Sequence, residues 1–404
     1  MLENQETSQK QENQIKNHLL SSLCYHDLSL TDIISRVIER KVRYRDSRDY
    51  FRKLSSEIGI DISQVHRKER NIEDYYVGGV DSSYEEFFSD YSGIRLYYVS
   101  VGGSLSLYPP SGEYNYIKDE KGFAGRYLFA EEDEMSVVIR ACAVMTEFFE
   151  AFNLIEKMRE SNNHKMGPVL IDGSVKTKIT AINQAMTFLK DYLQKVGGDP
   201  ELIEDYIVNA GVSPKLSSLY FFYFNFITFL KVFAYLLENY PEYVFFVPKR
   251  SSDDDFKTYF RSQLENEGKR DELDSHSIDV RDMEFLYSIL DVREYVSVPI
   301  TSRNYRLKSE IQTKTEEIFE LIQKIDRLVD SAKVVYVKTS DGLIKKIECW
   351  NNGFENYGDI IYSSFHLGNE SVFVRRAEKV AKMVVGNVKS SKQVLSRFSY
   401  RAEF

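Results

Sequence analysis

The run YYVGGVDSSYEEFFSDYSG, residues 75–93, climbs through Tyr75, Tyr76 and Val77 like a buried strand and then reaches an aspartate, Asp81, followed by Ser82 and Ser83. An unpaired carboxylate in a strand core costs several kcal/mol or is forced to neutralise. Asp81 therefore either starts a turn or meets a cation.

The pattern returns in GPVLIDGSV, residues 167–175, a short apolar strand that ends on Asp172. Two such strands side by side in one sheet put both carboxylates at one edge, a pairing that calls for protonation, hydrogen bonds or a divalent cation. Between them, residues 131–162 repeat apolar side chains at helical intervals, from Val137 and Val138 through Phe148 to Ile155. Glu147, Glu150 and Glu156 stand on that helix, and any of them could add a third carboxylate. An all-oxygen set of this kind suits Mg²⁺ or Mn²⁺ rather than zinc. Two such ions about 4 Å apart can activate a water and stabilise the leaving oxygen in phosphodiester hydrolysis. The plainer alternatives stay open here: Asp-Ser and Asp-Gly after a strand are ordinary turn chemistry, and a helical glutamate is usually solvated.

The rest of the chain frames these motifs. It has 404 residues, 43% apolar and 28% charged, with 28 Tyr and 26 Phe, enough for one large domain with insertions or two ordinary ones. A net charge of −9 argues against coating nucleic acid by bulk electrostatics, although a carboxylate-rich nuclease site is compatible with it. Cys24, Cys142 and Cys349 are scattered and odd in number, which suggests neither a disulfide framework nor a zinc site. The polar N-terminus lacks the apolar core of a secretory signal, so a cytoplasmic protein is expected. Residues 217–237, SSLYFFYFNFITFLKVFAYLL, are long enough to span a bilayer, but Asn225, Thr228 and Lys231 favour a buried or dimer-interface helix.

Helices are expected over 28–58, 281–290 and 307–333, and a surface helix or loop over 253–275. Strand patterns fall at 75–81, at 93–109 as a long strand or hairpin, and at 243–252, and a further strand is expected at 293–302. Residues 333–350 read as a hairpin around Ser340–Gly342. Mixed strand types among helices predict an α/β fold with a mixed central sheet flanked by helices. Lys249 and Arg250 close the strand VFFVPKR, where they could touch a phosphate or simply be solvated. The basic run 36–53 is a weaker DNA-track candidate, because its acidic residues make it resemble an ordinary charged helix face. Neither GxSxG nor a P-loop lysine is present.

GGVDSSY at 78–84 and VLIDGSV at 169–175, separated by a long helix, resemble the paired aspartate motifs of the NurA nuclease family. RLYYVSVGG, FFVPKRSS, RDMEFLYSIL, LIKKIECW and VFVRRAEKVAKM continue the resemblance in order over residues 70–390. The resemblance implies an RNase H-like core over 71–390, with a helical insertion at about 176–240, an N-terminal helical extension over 1–70 and a tail over 391–404. It implies a Mn²⁺- or Mg²⁺-dependent endonuclease and 5′–3′ exonuclease acting on DNA as a homodimer. The partner it implies is a HerA-like hexameric ATPase, in DNA end processing, repair or phage defence.

Carried over residue by residue, Asp81 and Asp172 become metal ligands, with the helical glutamate falling on Glu147 or Glu150 and Glu147 the preferred one. Glu378 stands where many members of the family carry histidine or aspartate, and His366 lies nearby as a substitute ligand or proton carrier. Lys249 and Arg250 become contacts to the DNA phosphate. The Glu378 departure motivates a rival reading, a NurA-like binding subunit of a HerA-type assembly that has lost cleavage.

Overall fold

The computed structural model describes residues 48–66, 75–89, 95–108, 118–131, 135–161, 164–195, 217–249, 254–269, 282–300, 306–307, 316–365 and 370–383. Its strands are β1 (Ile62–Gln64), β2 (Tyr75–Ser89), β3 (Arg95–Tyr108), β4 (Lys118–Glu131), β5 (Lys165–Asp172), β6 (Val244–Val247), β7 (Glu294–Pro299), β8 (Lys333–Lys338) and β9 (Ile344–Cys349). They form one mixed sheet in the order β1-β7-β8-β9-β6-β5-β2-β3-β4. The helices are α1 (Arg48–Glu57), α2 (Ser136–Glu160), α3 (Val175–Lys195), α4 (Ser217–Asn239), α5 (Asp255–Asn266), α6 (Asp282–Ile289), α7 (Glu316–Asp330) and α8 (Gly353–Ser364). A last one, α9, covers 372–383. The α/β class expected from the sequence is the class observed.

Strands β2, β3 and β4 make an antiparallel meander, and α2 then carries the chain back so that β5 runs parallel to β2. Strand β6 follows parallel to β5, on the other side from β2. Successive strand residues face opposite sides, so the sheet buries two apolar faces. Val80, Ile171 and Phe246 belong to a core shared with α2, α3, α4 and α7. Val77, Leu170 and Phe245 belong to another, closed by Phe354, Tyr357 and Ile361 of α8 and Phe373 and Val374 of α9. Burial on both sides explains why β6, VFFV, reads as a continuous apolar run, and why β3 is buried from Tyr97 to Tyr108 even at its serines and glycines.

Helix α4 begins and ends where the apolar run predicts. Among the described residues, Phe221–Asn239 is a stretch long and apolar enough to cross a membrane. In the fold its aromatic side chains meet the core: Phe148 of α2 lies 5.2 Å from Phe229 and 4.5 Å from Phe233, ring centre to ring centre. On its rim Lys231 pairs with Glu317 at 2.7 Å and Glu238 with Lys324 at 2.7 Å, so polar contacts tie it to α7. Helix α7 is amphipathic in the expected way, burying Ile318, Ile322, Ile325 and Val329.

Several expectations need correction. Asp81 does not end its strand: β2 continues to Ser89, because the polar residues after Asp81 pair with β3, Tyr84 opposite Val99 and Glu86 opposite Tyr97. What stops at Val80 is the parallel pairing with β5, whose last partner is Ile171. Residues 95–108 are one strand rather than a hairpin, with Gly102 and Gly103 in its middle. The charged stretch 253–275 contains a helix, α5, but not a purely superficial one, since Phe256, Phe260 and Leu264 are buried. Of the helix expected over 28–58, α1 is the described part, and its Arg52 is committed to Glu294 by two bonds of 2.8 and 2.9 Å.

Candidate metal centre

Alternation along β2 and β5 sorts the site into two layers. Val80 and Ile171 face α2, so Asp81 and Asp172 face the side covered by α9, while Ser82 turns back towards α2. Asp81 is 4% exposed and its Oδ1 accepts the Ser82 N–H at 2.8 Å. Across from it, β6 runs out at Val247, and Lys249, two residues on, points the same way. Glu370 arrives just ahead of α9 and Glu378 from its second turn.

These groups converge. The Lys249 ammonium lies 3.1 Å from Asp81 Oδ2, 3.5 Å from Asp172 Oδ2, 2.9 Å from Glu370 Oε1 and 3.5 Å from Glu378 Oε1. Asp81, Glu370 and Glu378 each offer an oxygen, and all three lie within 4.8 Å of one another. Burial first, then the charges of Asp172 and Glu147, push the Asp81 carboxyl up to about 8, against the pull of Lys249. Burial alone would lower the Lys249 pKa, yet the charges of Asp81 and Asp172, with Glu370, hold it above its ordinary value. Glu370 is likewise raised by burial.

The donor set is oxygen throughout, a cation already stands at its centre, and Asp172 Oδ1 is buried with no hydrogen-bond partner among the described residues. Those three features fit a hard divalent ion such as Mg²⁺ or Mn²⁺.

On the other face Glu147 occupies a layer of its own. It is buried, accepts a hydrogen bond from Ser82 Oγ and is paired with Lys178 of α3. Burial raises its pKa while Lys178 and Ser82 oppose the rise. Lys178 reaches it across Gly173, whose φ of +82° makes the tight turn between β5 and α3; a Cβ there would meet the lysine's Nζ at 3.4 Å. The structure thus brings Asp81, Asp172, Lys249 and Glu378 together and sets Glu147 just behind them. It does not bring Glu150 there: its Oε1 lies against Gly103, beside a cavity lined by Val101, Tyr127 and Asn153. Arg250 and His366 lie outside the described residues.

Glu370 and Lys178 are the members the sequence reading missed. Glu370 precedes its helix and follows no apolar period. Lys178, one turn into α3, looks like any helical lysine, and its only signal is the spacing that sets it over the Asp172-Gly173 turn.

Two glycines seat α9. A Cβ on Gly79 would stand 2.2 Å from the Phe373 carbonyl oxygen, and one on Gly102 would stand 2.0 Å from that of Ala377. Ser104 Oγ adds a hydrogen bond to the Phe373 carbonyl at 2.9 Å. Gly102→Ala is therefore expected to lift α9 from the sheet and to cost at least about 1–3 kcal/mol, the usual range for overpacking. Denaturant unfolding should show this loss together with weaker Mn²⁺ binding, as Glu370 and Glu378 retreat. Wild-type values for both would mean that this contact does not place the helix.

The chain is similar to solved structures of NurA. One NurA crystal structure matches with a TM-score of 0.49 at 12% identity, over 88% of this chain and 93% of that one. The NurA nuclease from Sulfolobus solfataricus matches with a TM-score of 0.45 at 12% identity, over 89% and 98%. NurA bound to dAMP and manganese matches with a TM-score of 0.45 at 13% identity, over 85% and 92%. No protein-family model and no curated protein matches the chain.

Proposed function

We propose that the protein is a divalent-metal-dependent deoxyribonuclease built on an RNase H-like core. One observation carries the reading: four carboxylates from three stretches of chain converge on a single cation position where the parallel pairing of β2, β5 and β6 runs out. The strand order β4-β3-β2-β5-β6, an antiparallel meander followed by two parallel strands, supports the RNase H-like assignment. Asp81, Asp172, Glu370 and Glu378 would hold the ion. When bound, a Mn²⁺ or Mg²⁺ ion supplies Lewis-acid activation of water and of the phosphoryl oxygens. Ser82 and Lys178 fix Glu147 behind the ligands, and Lys249 provides the positive charge nearest to where a phosphate would arrive. In the same reading, following the motif resemblance, the protein is cytoplasmic and not membrane-bound, acts as a homodimer on DNA with endonuclease and 5′–3′ exonuclease activity, and receives its substrate from a HerA-like hexameric translocase in end processing or phage defence.

The seat of Lys249 favours one competing reading. An ammonium that fills the cradle permanently would make the chain a NurA-like binding subunit without cleavage. Incubating the purified protein with end-labelled linear and single-stranded DNA separates the two, with Mn²⁺, Mg²⁺ or chelator, alone and with a HerA-type ATPase and ATP. Degradation that needs metal and stops with chelator is expected. Intact DNA under every condition would leave the binding subunit.

A further inference from the structure

We infer that Lys249 is a placeholder counter-ion: its ammonium occupies the cation position of the carboxylate cradle, and a divalent ion takes that position only by displacing it. The inference rests on the nuclease reading of the site and concerns how the site is loaded.

The geometry leaves little room for both. Nζ of Lys249 is within 3.5 Å of oxygens from Asp81, Asp172, Glu370 and Glu378, so it engages the same oxygens a metal would bind. A divalent ion binds such oxygens at about 2.0–2.6 Å. An ion at that distance from several of these oxygens would overlap the present ammonium. The charge count points the same way: Glu378 is also paired with Lys382 and Glu370 with Arg375, but among the described residues the salt bridges of Asp81 and Asp172 go to Lys249, and a divalent ion meets that excess better.

Lys249 is also free to leave. It is the second residue after β6, it is 35% exposed, and its long stem can swing the ammonium outward while the carboxylates stay anchored on β2, β5 and α9. Lys178 cannot stand in for it, because its own ammonium is buried against Glu147 on the other face of the sheet. Displacement couples two events. The cradle gains its metal, and a positive charge appears at the rim where a nucleic-acid phosphate can use it. Metal would thus load before DNA is gripped.

The test is amine labelling of the intact protein, read by mass spectrometry at Lys249, without metal and with saturating Mn²⁺, while Mn²⁺ binding is followed by its electron paramagnetic resonance signal. Labelling of Lys249 should rise by about twofold or more with Mn²⁺, since a side chain 35% exposed would approach the 79% of Lys53 once its ammonium swings out into water. Lys53, at 79% side-chain exposure, serves as the reference whose labelling stays constant. Lys249→Met should bind Mn²⁺ more tightly than the wild type, because no ammonium competes. Mn²⁺ binding with Lys249 still protected would overturn the exchange and leave the nuclease reading standing. Absence of Mn²⁺ binding in both proteins would overturn the two together.

Discussion

Asp172→Asn is expected to raise the melting temperature of the metal-free protein by a few degrees and, in the same variant, to lower Mn²⁺-dependent DNA cleavage by more than about a hundredfold. The stability gain follows from what the Asp172 charge does to its neighbours. It is among the causes that raise the pKa of Asp81, Glu147 and Glu370, all of them buried or half-buried. Its own Oδ1 is buried without a donor, a costly arrangement that an uncharged amide relieves. The loss of cleavage follows from the same charge. Even partners outside a metal's ligand shell cost about 10- to 100-fold when removed, and Asp172 is proposed to touch the ion itself. Opposite signs in the two measurements are the signature of a site that trades stability for function. A lower melting temperature with cleavage intact would assign Asp172 to the turn into α3 instead.

Lys346→Met should be the most damaging single change away from the site, at about 3–5 kcal/mol, the usual cost of orphaning buried charge. Lys346 and Glu348 have no exposed side-chain surface; the lysine lies 2.7 Å from Asp255 and 3.0 Å from Glu348. Asp255 opens α5, and Glu348 accepts the Val175 N–H at 2.6 Å, at the first turn of α3. The triad therefore pins two helix starts to β9, and the methionine would take the lysine's charge from both buried carboxylates. Glu348→Gln should cost less, because the amide oxygen still accepts from Val175. Urea unfolding of the two variants checks the ranking, and a Lys346→Met protein within 1 kcal/mol of wild type, well short of that range, would refute it.

The legible part of the fold was the part with simple periodicity. Helix α4 and the β8–β9 hairpin lie where their patterns put them, because an apolar run and a glycine turn each have few alternatives. Strand β4 went unread, since KDEKGFAGRYLFAE mixes charge and glycine, and among the described residues it pairs along one edge only. Helix α8 also went unread; Gly353 and Gly358 weaken its helical signal, although Phe354, Tyr357 and Ile361 are buried. At the site, two strands ending their shared register at Asp81 and Asp172 could be foreseen from local patterns. The choice among glutamates could not. Glu150 and Glu147 lie one turn apart on α2, and it is the strand residue beneath each that differs, Ser82 for Glu147 and Gly103 for Glu150. Glu370 belongs to the cradle through the docking of α9, a contact that no local pattern encodes.

That docking also sets the moment at which the site comes into being. Asp81 and Asp172 leave the ribosome first, but Glu370 and Glu378 come well over a hundred residues after Asp172 and take their places only when α9 settles onto Gly79 and Gly102. A chain interrupted before that helix would carry half a cradle. The order of translation thereby withholds the full cation site from any chain that has not yet reached α9.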